Sequence, residues 1–187
     1  MASNHIDPTS FASVEGYATR LRLIREEDAE YIWGLRIDPS YNTHLSAVSG
    51  TAEDQRVWIR GYKALEAAGK EYYFVVERLD NGCRCGVVRI YGISGDEFTW
   101  GSWILDASKP PKAALDTAMS VYRFAFDRLG LRRAVYDVRR DNAHTLAFHD
   151  RFGGRRTGED AENIYYEIPV ELFRELALRH DVALRDW

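Results

Sequence analysis

The sequence lacks the features that mark membrane, secreted and nucleic-acid-binding proteins. It has no apolar run near the roughly 20 residues that span a bilayer. The segment 1–16 is polar and lacks the basic-then-apolar order of a signal peptide. Charges of both signs are interspersed and the formal net charge is -4, so no basic surface for nucleic acid is indicated. These absences predict a cytoplasmic protein that binds neither membrane nor nucleic acid.

Cysteine is scarce, and the common phosphate-binding motifs are missing. The two cysteines, Cys83 and Cys85, are two positions apart, so on a strand they share a face and cannot easily bridge each other. One Cys-x-Cys supplies too few ligands for a structural zinc site, so we interpret both thiols as buried or half-buried and expect no metal. Neither G-x-G-x-x-G nor G-x-x-x-x-G-K-[ST] occurs, which disfavours a small nucleotide-binding α/β domain.

The chain has the length and apolar content of one α/β core. Its 187 residues are 45% hydrophobic, and no internal repeat or linker divides them. We expect residues 1–16 to form a flexible tail and residues 17–187 to form a single domain.

Hydrophobic periodicity and turn residues predict a mixed order of strands and helices. Thr51 with Asp54 three residues later resembles a capping box, and Asp80-Asn81-Gly82 favours a hairpin turn. The order expected is a strand at 20–25, helices at 26–37 and 51–68, an antiparallel meander at 72–79, 84–93 and 97–105, a helix at 112–129, a strand at 133–139, a helix at 141–152, a strand at 163–168 and a C-terminal helix.

One connection in this order is expected to be parallel. The strand, helix and strand over 97–139 form a crossover, and such crossovers bring the second strand back parallel to the first. We therefore predict an α/β fold with a mixed, mostly antiparallel twisted sheet, one parallel βαβ crossover and helices on both faces. The N-terminus of the crossover helix offers unpaired N–H groups that suit an anion.

The segment Asp141–Gly153 contains an Asn that opens a helix, an aromatic residue, a basic residue and a final Gly. It resembles the corresponding segment of the GNAT (GCN5-related) N-acetyltransferase superfamily, although on its own it also fits an ordinary capped helix. The resemblance covers about 20–168, and the segments 35–39 and 51–58 are similar to the ribosomal-protein and nucleotide-amino-sugar subgroup. It implies an acyl-CoA N-acyltransferase fold and acetyl-CoA as co-substrate. It also implies that the two parallel strands splay apart to admit the thioester.

The resemblance also implies where acetyl-CoA binds. The family loop Arg/Gln-x-x-Gly-x-Gly/Ala corresponds to Lys109–Ala114, in which Lys112 stands at the central glycine and Pro110 and Pro111 remove two donors. The first-turn amides of the helix can still hold a pyrophosphate, although the loop also fits a helix that merely starts with basic residues. The implied cofactor-binding residues are Trp103, Ile104, Leu105, Lys109, Lys112, Ala113, Ala114, Leu115, Asn142 and Arg151.

Two residues are candidates for proton transfer. His149 stands where the family often has a tyrosine that resembles a general acid, and a structural helix histidine is an equal alternative. Glu97 begins the strand on which the family often carries its general base, while a surface acid, or water as the base, remains the alternative.

The acceptor is expected to be a primary amine. Residues that could line its pocket are Arg36, His44, Trp58, Tyr91 and Trp100, of which Trp58 also fits the apolar face of a helix and Arg36 a surface charge. A small-molecule amine such as a nucleotide-linked amino sugar is favoured. A peptide N-terminus, or an acyl-CoA-binding domain that has lost catalysis, is the alternative, and a homodimer stays open.

Overall fold

The computed structural model describes residues 13–44 and 49–185. Its strands are β1 (Val14–Glu15), β2 (Thr19–Leu23), β3 (Tyr72–Arg78), β4 (Arg84–Ser94), β5 (Glu97–Leu105), β6 (Arg133–Arg139), β7 (Arg155–Glu159) and β8 (Asn163–Pro169). Its helices are α1 (Ala29–Ile37), α2 (Pro39–Asn42), α3 (Ala52–Ala67), α4 (Ala113–Arg123), α5 (Ala143–Phe152) and α6 (Val170–Arg185).

The strands form one mixed sheet in the order β1-β2-β3-β4-β5-β6-β8-β7. Neighbouring strands are antiparallel except β5 and β6, which are parallel and joined by the crossover through α4. The predicted fold class is confirmed, including the position of the parallel pair.

The sheet splits between β5 and β6. The ladder records only the pairs Glu97 with Arg133 and Phe98 with Ala134, although β5 runs on to Leu105. Where β5 faces β4, the register shifts beside Ser102, whose φ of 46° is left-handed. Such a bulge bends its strand and increases the twist, so it turns β5 further from β6 beyond their last pair at Phe98. The strands therefore diverge, as the sequence analysis expects.

Two hydrophobic clusters cover the two faces of the sheet. The larger one packs α4, α5 and α6 against one face, with Tyr122 and Phe152 among its members. The smaller one packs α1 and α3 against the other face through Ile32 and Ile59. Side chains alternate across a strand, and each face of the sheet is covered by helices. A gap between two strands is therefore bordered by both helical layers.

A buried carboxylate ties α4 to the start of β2. Asp116 is 1% exposed and accepts hydrogen bonds from the backbone N–H groups of Tyr17, Ala18 and Thr19 at 2.8–2.9 Å and from the Thr19 hydroxyl at 2.8 Å. A Cβ at Gly16 would lie 2.3 Å from this carboxylate, so only glycine permits the approach. The first turn of α4 is thus held from behind the cleft.

Several local features differ from the sequence-based expectations. Strand β7 was not predicted, because all five of its residues are exposed and no apolar alternation marks it. A second short helix, α2, follows α1 directly. Asp38 caps its start, because the Asp38 side chain accepts a hydrogen bond from the Ser40 N–H at 2.8 Å. The expected helix 112–129 consists of α4 followed by a π-helical turn, Phe124–Arg128.

Three further expectations from the sequence concern the N-terminal tail, the cysteines and membrane-spanning helices. Residues 1–12 of the expected tail lie outside those ranges, and residues 14–15 form strand β1. Cys83 is exposed, and burial raises the pKa of the Cys85 thiol to about 12. None of the helices in this part of the chain is long and apolar enough to cross a membrane.

Candidate active site

The split between β5 and β6 forms a cavity of about 720 Å³ that is bordered by both helical layers. Of the residues predicted for the site, the cavity is lined by Arg36, His44, Tyr91, Trp100, Trp103, Ile104, Leu105, Lys109, Ala114, Asn142 and His149. Residues predicted to bind cofactor and residues predicted to bind acceptor therefore meet in one cleft.

His149 lies on the α5 side of the cleft in an aromatic box. Its ring centroid is 4.6 Å from that of Tyr136, 5.6 Å from that of Trp100 and 5.7 Å from that of Tyr166. The side chain is 4% exposed, and burial lowers its pKa to about 4. The imidazole is therefore neutral at pH 7, because the surrounding rings cannot solvate a cation.

Unpaired polar atoms are concentrated around this cleft. Within the described ranges, three cavity-lining side chains carry a buried donor or acceptor without a hydrogen-bond partner: Tyr73 (hydroxyl), Trp103 (Nε1) and His149 (Nδ1). Most buried polar atoms in folded proteins are paired, so such a cluster is typical of a surface that binds a polar ligand.

The chain enters α4 through a residue with a left-handed backbone. Lys112, which the resemblance aligns with the family's central glycine, has φ 56° and ψ 9°, a conformation that glycine adopts without strain. The Ala113 N–H is taken by the carbonyl of Pro110 at 3.3 Å. Among the described residues no acceptor faces the N–H groups of Ala114 and Leu115, so two helix donors remain open for an anion.

The two lysines of this loop differ in where their side chains lie. Lys109 lines the cavity, whereas the Lys112 ammonium donates to the carbonyl of Ala183 in α6 at 2.6 Å. Of the two lysines that the resemblance implies for cofactor binding, Lys109 therefore lies at the cavity, and the ammonium of Lys112 is directed to α6. A lysine is a natural partner for carbonyls in the last turn of a helix, which accounts for the direction of Lys112.

The segment between β5 and α4 is fixed by side chains from α1, α2 and β3. Tyr31 donates to the Asp106 carboxylate at 2.7 Å, and the Ala107 N–H donates to the Tyr41 hydroxyl at 3.2 Å. Arg78 donates to the Ser108 carbonyl at 2.7 Å. These contacts hold the loop that leads into the open amides.

Asn142 begins α5 by accepting a hydrogen bond from the Thr145 N–H at 3.1 Å. This is the N-cap expected of the family segment, and it fixes the helix that presents His149. Asn142 also lines the cavity. Its neighbour Asp141 lies 3.4 Å from Nδ1 of His44, across the mouth of the cleft.

The α1 side of the cleft is polar and aromatic. Burial raises the pKa of Tyr73 to about 12, against the opposing charges of Arg36 and Arg89. Burial and the charge of Asp137 raise the pKa of Tyr91, so both hydroxyls stay protonated at neutral pH. The carboxylates of Asp137 and Glu162 line the same cavity.

Some predicted site residues lie elsewhere. Glu97 sits at the closed end of the split, paired with Arg133, and Trp58 stacks on Tyr62 outside the cavity. The side chain of Arg151 turns back to the carbonyl of Ala147 at 3.2 Å. Ala113 and Leu115 pack at the helix start rather than lining the cavity.

Other cleft residues were not singled out from the sequence. Tyr73, Asp137 and Tyr136 line the cavity, as do Gly101 and Ser102 next to the bulge. Tyr73 and Tyr136 lie in strongly apolar strands and read as core residues. Asp137 stands between the apolar residues Tyr136 and Val138 of β6, and this placement is a sequence signal that could have found it.

Comparison with known proteins agrees with this geometry. Residues 19–155 match the family model of the acetyltransferase (GNAT) domain. The chain is 37% identical to apo FdhC, a nucleotide-linked sugar GNAT, over 90% of this chain and 96% of that one, with a TM-score of 0.84. No curated protein matches the sequence significantly.

Two further structures share the fold at lower identity. A ribosomal-protein-S5-alanine acetyltransferase from Vibrio fischeri is 17% identical, with a TM-score of 0.74 over 85% of this chain and 97% of that one. A GCN5-related N-acetyltransferase from Brucella melitensis is 16% identical, with a TM-score of 0.75 over 92% and 85%. The protein belongs to the GNAT acetyltransferase family.

Proposed function

We propose that the protein transfers the acetyl group of acetyl-CoA to the amine of a nucleotide-linked amino sugar. The observation that carries this proposal is a cleft with two unlike sides. One side offers helix N–H groups and Lys109, and the other offers arginine, tyrosine and carboxylate side chains. Similarity to FdhC, described as a nucleotide-linked sugar GNAT, supports the choice of acceptor.

The residues on the α4 side fit acetyl-CoA. The open N–H groups of Ala114 and Leu115, with the ammonium of Lys109, provide the donors and the charge that a pyrophosphate needs. Beyond Phe98, the edge of β5 that faces β6 has no strand partner. An extended amide-containing arm could pair with that edge through backbone hydrogen bonds, in the manner of an added strand.

In the proposed reaction the amine nitrogen bonds to the thioester carbonyl carbon, and the carbon–sulfur bond breaks. His149 is neutral at pH 7 because its pKa is about 4, so very little imidazolium is present to serve as a general acid. A neutral imidazole still carries one N–H. We assign His149 the role of a hydrogen-bond donor to the departing thiolate, which then takes the proton released by the amine.

The residues on the α1 side fit a nucleotide diphosphate. Arg36 from α1 and Arg139 from the end of β6 both line the cavity, and guanidinium groups bind phosphate oxygens in pairs. Tyr41 and Tyr91 add rings that can pack on a sugar or base. This combination suits an acceptor that has both an anionic part and an amine.

The test compares acceptors and a pair of arginine variants. Steady-state assays would follow CoA release with a nucleotide-linked amino sugar, with the amino sugar lacking the nucleotide, and with a peptide that has a free N-terminus. We expect the nucleotide-linked sugar to have the highest kcat/KM by about 100-fold or more, the scale of two lost charged contacts.

Arg36→Gln should raise KM for the nucleotide-linked sugar and leave the Kd of acetyl-CoA unchanged. Arg60→Gln is the matched control, because Arg60 lies on α3 in the same layer but pairs with Glu26 outside the cavity. A peptide acceptor that exceeds the sugar would refute the proposed substrate. Binding of acetyl-CoA without turnover of any amine would instead indicate a domain that has lost catalysis.

A further inference from the structure

We infer that Asp137 is the residue that binds the acceptor amine and removes its proton. This inference rests on the proposed function, because it assigns a role within amine acetylation. It replaces Glu97, which lies at the closed end of the split and outside the cavity.

The position of Asp137 follows from the strand register. The last recorded pair between the parallel strands is Phe98 with Ala134. Gly101 on β5 and Asp137 on β6 each lie three residues beyond this pair, where the sheet has opened, and both line the cavity. Side chains alternate across a strand, so Asp137 lies on the opposite face from the buried Tyr136 and Val138. It therefore borders the acceptor side of the cleft.

Gly101 leaves room for the ring of Tyr91 next to this part of the cleft. A Cβ built at Gly101 would lie 3.1 Å from the Tyr91 hydroxyl. Tyr91, Gly101 and Asp137 all line the cavity. Burial and the charge of Asp137 together raise the pKa of Tyr91, which agrees with the two groups lying close to each other.

The chemistry of Asp137 suits an ammonium group. It is an exposed carboxylate that lines the cavity, and within the described ranges no ion pair or hydrogen bond engages its side chain. Two other acids near the cleft already have partners, since Asp106 accepts from Tyr31 and Asp141 contacts His44 and Arg139. Glu162 also lines the cavity, but it lies in the turn before β8 and not on one of the two parted strands. A carboxylate without a partner attracts a cation and can accept its proton.

The proton balance is complete with these groups. The acceptor enters as an ammonium ion, and one proton passes to the Asp137 carboxylate and then to solvent. The free amine attacks the carbonyl carbon, the carbon–sulfur bond breaks, and the second amine proton ends on the thiolate of CoA. The products are an amide, CoA and one released proton, with no oxidant or further reactant.

The test is the variant Asp137→Asn, with Asp127→Asn as the matched control. Asp127 is an exposed aspartate in the π-helical turn after α4, and it does not line the cavity. We expect Asp137→Asn to lower kcat/KM at pH 7 by about 100-fold or more, the usual contribution of a general base. Asp127→Asn should stay within about 3-fold of the wild type, because an exposed carboxylate outside the cavity is screened by solvent.

Two further measurements separate this role from a structural one. The defect of Asp137→Asn should shrink as the pH rises, because solvent then deprotonates the amine, while the Kd of acetyl-CoA and the melting temperature stay unchanged. Near-normal kcat/KM, a pH-independent defect, or lost acetyl-CoA binding would each overturn the assignment. A wild-type protein that acetylates no amine overturns the proposed function as well, and the assignment with it.

Discussion

Replacing His149 by phenylalanine should change how stability depends on pH. The substitution keeps a planar ring in the aromatic box and removes the titratable group. In the folded wild type the pKa of His149 is lowered by burial from 6.5 to about 4, and in the unfolded chain it returns to its ordinary value. The unfolded state therefore binds more protons between these two values, and stability falls as the pH falls.

The size of the effect follows from that gap. Each pH unit of pKa shift corresponds to about 1.36 kcal/mol. The contribution of His149 is complete above about pH 6.5, and it declines by about 2 kcal/mol by pH 5 and about 3 kcal/mol by pH 4. Below the folded pKa no further loss is expected from this residue.

The assay is urea unfolding at a series of pH values from 7.5 to 4.5, followed by tryptophan fluorescence. The measured quantity is the difference in unfolding free energy between the wild type and His149→Phe. Other titrating groups, such as His180, whose pKa is lowered mainly by burial, are common to both proteins and cancel in the difference. A part of this difference that is the same at every pH comes from the changed packing of the phenylalanine ring. A difference that does not change with pH would refute the buried neutral imidazole.

Two further predictions concern the start of α4. Asp116→Asn should lower the unfolding free energy by about 3 kcal/mol in urea titrations, because one amide oxygen cannot accept all four hydrogen bonds that the carboxylate now accepts. The control is Asp127→Asn, at an exposed site on the same helical segment, which should change the unfolding free energy by less than about 0.5 kcal/mol. Lys112→Gly should be more stable than Lys112→Ala by about 1 kcal/mol, because both lose the bond to Ala183 and only glycine relieves the left-handed strain. Equal stability of the two Lys112 variants would contradict the strain at that position, and a similar loss in both aspartate variants would contradict the special role of Asp116.

The main architecture could be predicted from the sequence because strong local signals agree with it. The capping box at Thr51, the hairpin turn before β4 and the apolar face of α4 each marked an element that the structure contains. The parallel pair followed from the crossover rule rather than from any single residue. Strand β7 gave no such signal, because an exposed edge strand buries no apolar face.

The candidate site could be predicted only in part. The motif around Asn142 and the loop at Lys109 both lie at the candidate cleft, next to helix starts that the sequence marks clearly. The other cleft residues could not be predicted, because residues far apart in the sequence come together only in the folded sheet. Whether Asp137 or Glu97 lies in the open part of the split depends on where the pairing of β5 with β6 ends, and neither Phe98 nor Ala134 marks that point by its chemistry.

The split in the sheet also limits how far a ligand can enter between β5 and β6. The two strands rejoin at Phe98 and Ala134, so the opening is a channel with a closed floor. From that floor to Leu105 the open edge runs seven residues, roughly 20 Å at strand spacing. A linear molecule that enters with its narrow end first must stop where the strands meet, whatever is attached behind it. The closed end of the channel therefore limits how far any bound molecule can enter, so the leading ends of different molecules stop at the same position.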